Sequence, residues 1–449
     1  MKKLNTPPTF SRSNWLILLL FGTIGQLAWS VENMYFNLFV FDTVAPSLDT
    51  VTLMVQLSGV AATVTTLIAG VLSDKTGNRR SFISWGYVIW GVTVALFGCL
   101  SPELVAELFS LEATRAVSVT LVLVVVADCI MTVFGSTAND AAFNAWVTDN
   151  TQPAFRGTVE GVVSILPLVA MLVVAGGFGI LVSLIGYTAL FIGLGAVISL
   201  SGVVGIFIVK DNPEMERSGT MRDIFYGFRP SVIKSHLPLY VTLLVVLVYG
   251  IACQVFMPYL IIYMKTYLGF TVVEYSVVFG AAIILGAIIN IYLGRLSDRM
   301  DKVKLLYIAA GVMALGLFGM YLAPASNKTA ALIIFGIFGF VMICGFIFVS
   351  ALCGSTVRDY TPVGAVGKLQ GVRMVFSVLI PMLVGPAIGN EVNRAQGILI
   401  DNPGADAMTT SYIPAPEIFL VGAGITLLIF ALLPLLAKVR DSEPTASCD

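Results

Sequence analysis

Charge is scarce in this chain. Of 449 residues only 11% are Asp, Glu, Lys or Arg, and His236 is the single histidine. An ordinary soluble domain carries about 25% charged residues, so a soluble fold of this length is excluded. The net charge of −1 leaves no basic surface for nucleic acid. The six cysteines form no CxxC or CxxxC pair and mostly sit inside apolar runs, so they read as small core residues rather than disulfides or metal ligands. No Walker loop, zinc-ligand cluster or nucleophile elbow occurs, which removes ATP-driven pumping and membrane-enzyme chemistry and leaves no cofactor or metal to expect.

What is present is apolar length. Hydrophobic residues make up 57% of the chain and the mean hydropathy is +0.93. A spanning helix needs about 20 largely apolar residues, and on that measure the chain parses into twelve, from 14–41 through 117–146, 158–182 and 184–209 to 415–437. Lys2, Lys3 and Arg12 precede the first run, which is too long for a signal peptide and reads as an uncleaved span. An even count puts both termini on one side. On that parse 20 of the 25 Lys and Arg residues fall on the terminal side, only Arg115, Lys265, Lys328 and Arg394 fall opposite, and Arg373 lies within a span. The positive-inside rule therefore places both termini in the cytoplasm of a multi-pass plasma-membrane protein. On the opposite face, Leu104, Leu108 and Leu111 alternate with Glu103, Glu107 and Glu112 in the pattern of a short helix lying on the membrane surface.

One motif occurs twice. Gly70-Val71-Leu72-Ser73-Asp74-Lys75 returns as Gly294-Arg295-Leu296-Ser297-Asp298-Arg299, each time between an apolar run and a basic cluster. Val147, Asp149, Thr151, Gly157, Gly161 and Val162 recur 210 positions later as Val357, Asp359, Thr361, Gly367, Gly371 and Val372. Val209-Lys210-Asp211 closes the first half as Val439-Arg440-Asp441 closes the second. The order of these markers divides the chain into a six-helix bundle at 1–209, a polar linker at 210–237 and a second six-helix bundle at 238–449.

The repeated Gly-x-Leu-Ser-Asp segment, running on into Gly77, Arg79 and Arg80, resembles the loop between the second and third helices of the major facilitator superfamily, whose plan is two six-helix repeats. Asn78 stands where a basic residue is usual, and Asp301 replaces the later glycine of the second copy. The resemblance implies an all-α membrane fold of twelve helices and a transporter working by alternating access. It also implies a conformational latch at Gly70, Asp74, Arg79, Arg80, Gly294, Asp298 and Arg299. Physically, the glycines permit close helix contact and the acidic side chains engage helix ends and neighbouring cations. The segment Leu72 to Ile83 is also similar to the loop of glycoside-pentoside-hexuronide:cation symporters and their sucrose-carrier relatives.

Buried charges in a span cost a few kcal/mol and default to function. Asp128 falls near mid-bilayer in span four, on a stripe with Thr132, Gly135 and Asn139. The resemblance places spans one, four, seven and ten around the cavity and an acidic residue in span four of cation symporters, so Asp128 is the first coupling candidate. Glu32 in span one is the second. Span one also carries Gln26, Ser30, Asn33 and Asn37 with Trp29 beside them, and Gln254 is the span-seven counterpart of Gln26. Amides supply both donors and acceptors and an indole can stack on a sugar ring, so these residues, with Thr132 and Asn139, are the substrate-binding candidates. Interhelical hydrogen bonding explains the same amides nearly as well. Arg373 needs an anionic partner, and Asp140 or Glu160 is expected to supply it. Gly385-Pro386-Ala387-Ile388-Gly389 in span eleven is a flexible or close-packing point.

The expected function is symport of a small polar solute, a sugar or glycoside leading, by a monomer in the bilayer. With no carboxylate in span two, Asp128 lacks the acidic neighbour a sodium cage favours, so the coupling ion is read as a proton with sodium as the alternative. Two rivals stand beside this: an exporter of amphipaths or lipids, and a non-transporting sensor or scaffold, which would need a signalling domain absent from these residues.

Overall fold

The computed structural model describes residues 10–151, 156–212, 221–297, 300–361, 366–400 and 411–442. Eleven of its helices are long and apolar enough to cross a bilayer. The longest, Gly161–Ile208, has 48 residues, about 72 Å of helix against a hydrocarbon core of about 30 Å. It is interrupted at Gly186, whose φ of 80° and ψ of 166° lie outside any helix and are open to glycine alone. Span five therefore ends and span six begins there, making twelve passes. The break expected from hydropathy, between 182 and 184, falls slightly earlier in the chain.

Several spans outrun their apolar cores because they carry irregular turns. Span one, Arg12–Val44, includes π-helical segments at Glu32–Phe36 and Val40–Val44. Span four, Ala113–Asn150, has one at Ser136–Phe143, and span eleven has one at Val375–Leu379. A π-turn slips the helical register and rotates every later side chain relative to those before it. Span seven, Leu237–Thr266, tightens into a 3-10 turn at Met257–Tyr259, where Pro258 supplies no amide hydrogen.

Small residues let the spans approach backbone to backbone, the usual device where lipid offers no hydrophobic drive. A Cβ on Gly91 of span three would strike the Gly195 carbonyl of span six, and one on Gly195 would strike that of Gly91. Gly385 and Gly389 pack in the same way on the backbone of span seven at Ile251 and Val255, so the glycine-proline segment is a close-packing point. A short helix forms at Pro102–Phe109, capped by Ser101, with Val105 packed inward and Leu104 and Leu108 exposed; it ends at Ser110, so Leu111 and Glu112 of the expected pattern lie beyond it. Beyond the expected helices, Ile398–Ile400 and Ser411–Ile413 pair as an antiparallel ribbon after span eleven.

The first six and last six spans are tied by polar contacts at the face away from the termini. Asp42 of span one accepts from Lys265 of span seven at 2.6 Å and from Tyr187 of span six at 2.7 Å. Asp49 at the start of span two accepts from Asn390 at 2.7 Å and Arg394 at 2.9 Å, both in span eleven. Deeper, Tyr259 Oη lies 2.6 Å from Thr52 Oγ1 and donates to the Pro386 carbonyl at 2.9 Å, while Gln56 Nε2 donates to the Leu383 carbonyl at 2.7 Å. These ties close the molecule at the far face.

Candidate functional site

Span one and span four meet at Glu32 and Thr132. Glu32 is 8% exposed, Asp128 2% and Thr132 1%. Thr132 stands one helical turn after Asp128, so its Oγ1 lies 2.8 Å from the Asp128 carbonyl and 3.1 Å from Glu32 Oε1. Glu32 Oε2 and Asp128 Oδ1 are buried without a hydrogen-bond partner. Thr132 joins the two positions, bonded to the Asp128 carbonyl on its own span and to Glu32 on span one. No ion pair among the described residues reaches either of them. Two carboxylates in a site this dry cannot both stay ionised unless a cation joins them. The pair can therefore hold and release a proton, or close on a cation.

This corrects the sequence expectation that Asp128 lacks an acidic neighbour. The neighbour comes from span one rather than span two, because Glu32 points away from the amide stripe and into the first six spans. Trp29 makes the same turn inward: its ring lies 5.0 Å from that of Trp90, and a Cβ on Gly135 would touch both indoles. It is a packing residue here rather than a free stacking platform.

The other binding candidates separate into two groups. Gln26 and Ser30 are half-buried and Asn33 is exposed, although its amide donates back to the Trp29 carbonyl at 2.7 Å. Gln254 is half-buried, its Cβ packed where Gly385 approaches. These four are not enclosed in the bundle. Asn37 is buried and bonded to the Asn33 carbonyl, displaced from the stripe by the intervening π-turn. Asn139 is also buried, donating to Tyr87 Oη at 2.6 Å while Tyr87 donates to the Phe21 carbonyl at 2.7 Å. Asn37, Asn139 and Thr132 thus act as internal fasteners in this structure. An open groove along span one is lined by Leu16, Leu19, Leu20, Thr23 and Ile24.

Asp140 accepts from Ser136 at 3.0 Å and has the Trp29 indole beside it. Arg373 is half-buried and engaged, with its carbonyl accepting from Ser377 at 2.7 Å. The side chain of Glu160 lies outside the described residues.

The loop motif forms a network within the first six spans. Arg79, 5% exposed at its side chain, pairs with Asp74, donates to Asp149 Oδ2 at 3.0 Å and reaches Ser73 Oγ at 2.5 Å. Gly77 turns the chain at φ 68° and Asn78 caps span three, so the place of a usual cation is taken by a cap. The Arg80 amide donates to Asp211 at 2.8 Å. A Cβ on Gly70 would meet nothing within 4 Å, so the close contact expected there is not made in this state. Asp298 and Arg299 lie outside the described residues, as do the contacts of Gly294.

The second half repeats this geometry, keeping the charges of one contact and exchanging those of another. Lys302 pairs with Asp359 at 2.5 Å as Arg79 pairs with Asp149. Asp301 caps span nine as Asn78 caps span three, and accepts from Arg440 at 2.8 Å. Thus the end of span six sends an acid to the start of span three, whereas the end of span twelve sends a base to the start of span nine. Burial pushes the Asp301 carboxyl up, but Arg440 and the Val303 amide outweigh it and hold it below its ordinary value.

Known proteins share this architecture. No curated protein matches the sequence. Among solved structures, the chain is similar to a bacterial homolog of the human lysosomal transporter Spinster, described as inward-facing and unoccupied, at 13% identity and TM-score 0.67, covering 97% of this chain and 100% of that one. It is similar to the nucleoside transporter NupG at 12% identity and TM-score 0.68, covering 94% and 99%, and to a bacterial metal transporter at 14% and 0.60, covering 96% and 100%. At these identities the likeness establishes the fold alone. Residues 18–386 match the family model described as Major Facilitator Superfamily, and the chain belongs to that superfamily of membrane transporters.

Proposed function

We propose that the protein is a secondary active transporter that couples a small polar solute, a sugar or glycoside, to a proton through Glu32 and Asp128. The observation carrying this reading is the buried pair of carboxylates, Glu32 and Asp128, with no lysine or arginine paired to either among the described residues. Gln26, Ser30 and Asn33 of span one with Gln254 of span seven offer amides and a hydroxyl to the solute, and no lysine or arginine stands among them. That donor set suits an uncharged, hydroxyl-rich molecule better than an anion. The ties at the far face close that side of the molecule, and the charge asymmetry favours the opposite side as the cytoplasmic one. Rocking of 1–209 against 238–449 would expose the site alternately to the two sides.

The second reading, export of amphipaths, would require a cavity lined mostly by phenylalanine and methionine rather than by amides. Uptake by proteoliposomes across a panel of labelled sugars and glycosides, with pH and sodium gradients imposed separately, decides between them. Accumulation of a glycoside under the pH gradient supports symport. Accumulation under sodium alone transfers the pair to that ion, and movement of amphipathic dyes without any sugar supports export.

A further inference from the structure

We infer that Thr132 is a positioning residue for the coupling site, its hydroxyl turning between two hydrogen-bond patterns as Glu32 gains and loses a proton; this rests on the proposed role of the Glu32 and Asp128 pair. A threonine hydroxyl has one proton to donate and lone pairs to accept. Thr132 Oγ1 has two oxygens within reach, the Asp128 carbonyl at 2.8 Å and Glu32 Oε1 at 3.1 Å. Neither oxygen can donate while Glu32 is ionised, so the single proton serves one and abandons the other. When Glu32 is protonated, its own O–H donates to Thr132 Oγ1 and Thr132 donates to the carbonyl, and both short contacts are bonds. Both oxygens lie within hydrogen-bond reach of the one hydroxyl, so either pattern can form without moving the spans.

The surroundings leave the hydroxyl no competitor. Thr132 is buried, and Glu32 Oε2 and Asp128 Oδ1 have no hydrogen-bond partner. The titratable groups facing the pair are Cys129 and Asp140 of span four and, beyond Asp140, Tyr87 of span three. No lysine, arginine or histidine joins them among the described residues. The position is also mechanically sensitive, because a π-turn starts at Glu32 in span one and another at Ser136 one turn after Thr132. Rotation of either span past the other would break the 3.1 Å contact first.

Donation to a carboxylate is stronger than acceptance from a carboxylic acid, so the hydroxyl favours the ionised pattern by about one pH unit. The test is infrared titration of the purified protein in liposomes, which needs no solute, run beside uptake. The protonated-carboxyl band that disappears in Glu32→Gln is the signal of Glu32. In Thr132→Val that band should change frequency and its titration midpoint should rise by about one pH unit, whereas Thr132→Ser should keep both close to the parent. An unchanged band and midpoint in Thr132→Val, or equal shifts in the Val and Ser variants, would overturn the inference. If the band behaves as expected while uptake ignores pH, Thr132 still positions Glu32 and only the coupling reading falls.

Discussion

Asp42 and Lys265 meet 2.6 Å apart at the face away from the termini, joining the end of span one to the end of span seven. Span one carries both this contact and Glu32, each within its own π-turn. Lys265 is 40% exposed at its side chain, so the pair is weak alone, about 0–1 kcal/mol. Lys265→Ala should therefore shift the balance toward the far-open state by up to about fivefold. Cysteine accessibility from the far side measures this, and Asp42→Lys combined with Lys265→Asp should restore the parent value. An unchanged accessibility in Lys265→Ala would remove the pair from the gate.

The loop network predicts unequal effects for residues of one motif. Arg79 is buried against Asp149 and Asp74, and removing it strands Asp149 beside other acids. Arg79→Met should cost about 3–5 kcal/mol, as when one partner of a buried pair is lost. Asp74 is 41% exposed at its side chain, so Asp74→Asn should cost about 1 kcal/mol or less. Thermal unfolding in detergent ranks the two, and a larger loss for Asp74→Asn would contradict the assignment of Arg79 as the hub.

Orientation rests on the distribution of basic residues. Ser326 and Ser235 are both exposed, at opposite faces of the molecule. Cysteine at 326 should react with an impermeant reagent applied to intact cells and cysteine at 235 should not. The reverse pattern would invert the topology.

The fold is legible in the sequence because its signals are local: apolar length gives a span, and the repeated Gly-x-Leu-Ser-Asp segment gives the duplication. Even the pairing of Arg79 with Asp149 leaves a trace, since Asp149 and Asp359 are themselves a repeated marker. The site is only half legible. A uniform helical period places Gln26, Ser30, Asn33 and Asn37 on one stripe, but the π-turn at Glu32–Phe36 rotates Asn37 into the bundle. Asn139 carries no mark that distinguishes a solute contact from a bond to Tyr87 on another span. Lys265 and Arg394 read in sequence only as topological markers, and Asp42 and Asp49 belong to no motif. Their pairing across the molecule depends on how the spans are arranged, which no stretch of sequence states.

The most direct test compares counterflow with active uptake in the same vesicles for Asp128→Asn and Glu32→Gln. With one proton per solute, a gradient of one pH unit can sustain about tenfold accumulation. Each variant should lose that accumulation, its inside-to-outside ratio falling to about one, while counterflow of labelled solute continues and its pH dependence flattens. Asparagine and glutamine keep the shape of the carboxylates without carrying the charge, so binding and exchange survive although coupling does not. Full accumulation in both variants would contradict the account, showing the buried pair to be structural and placing the coupling elsewhere.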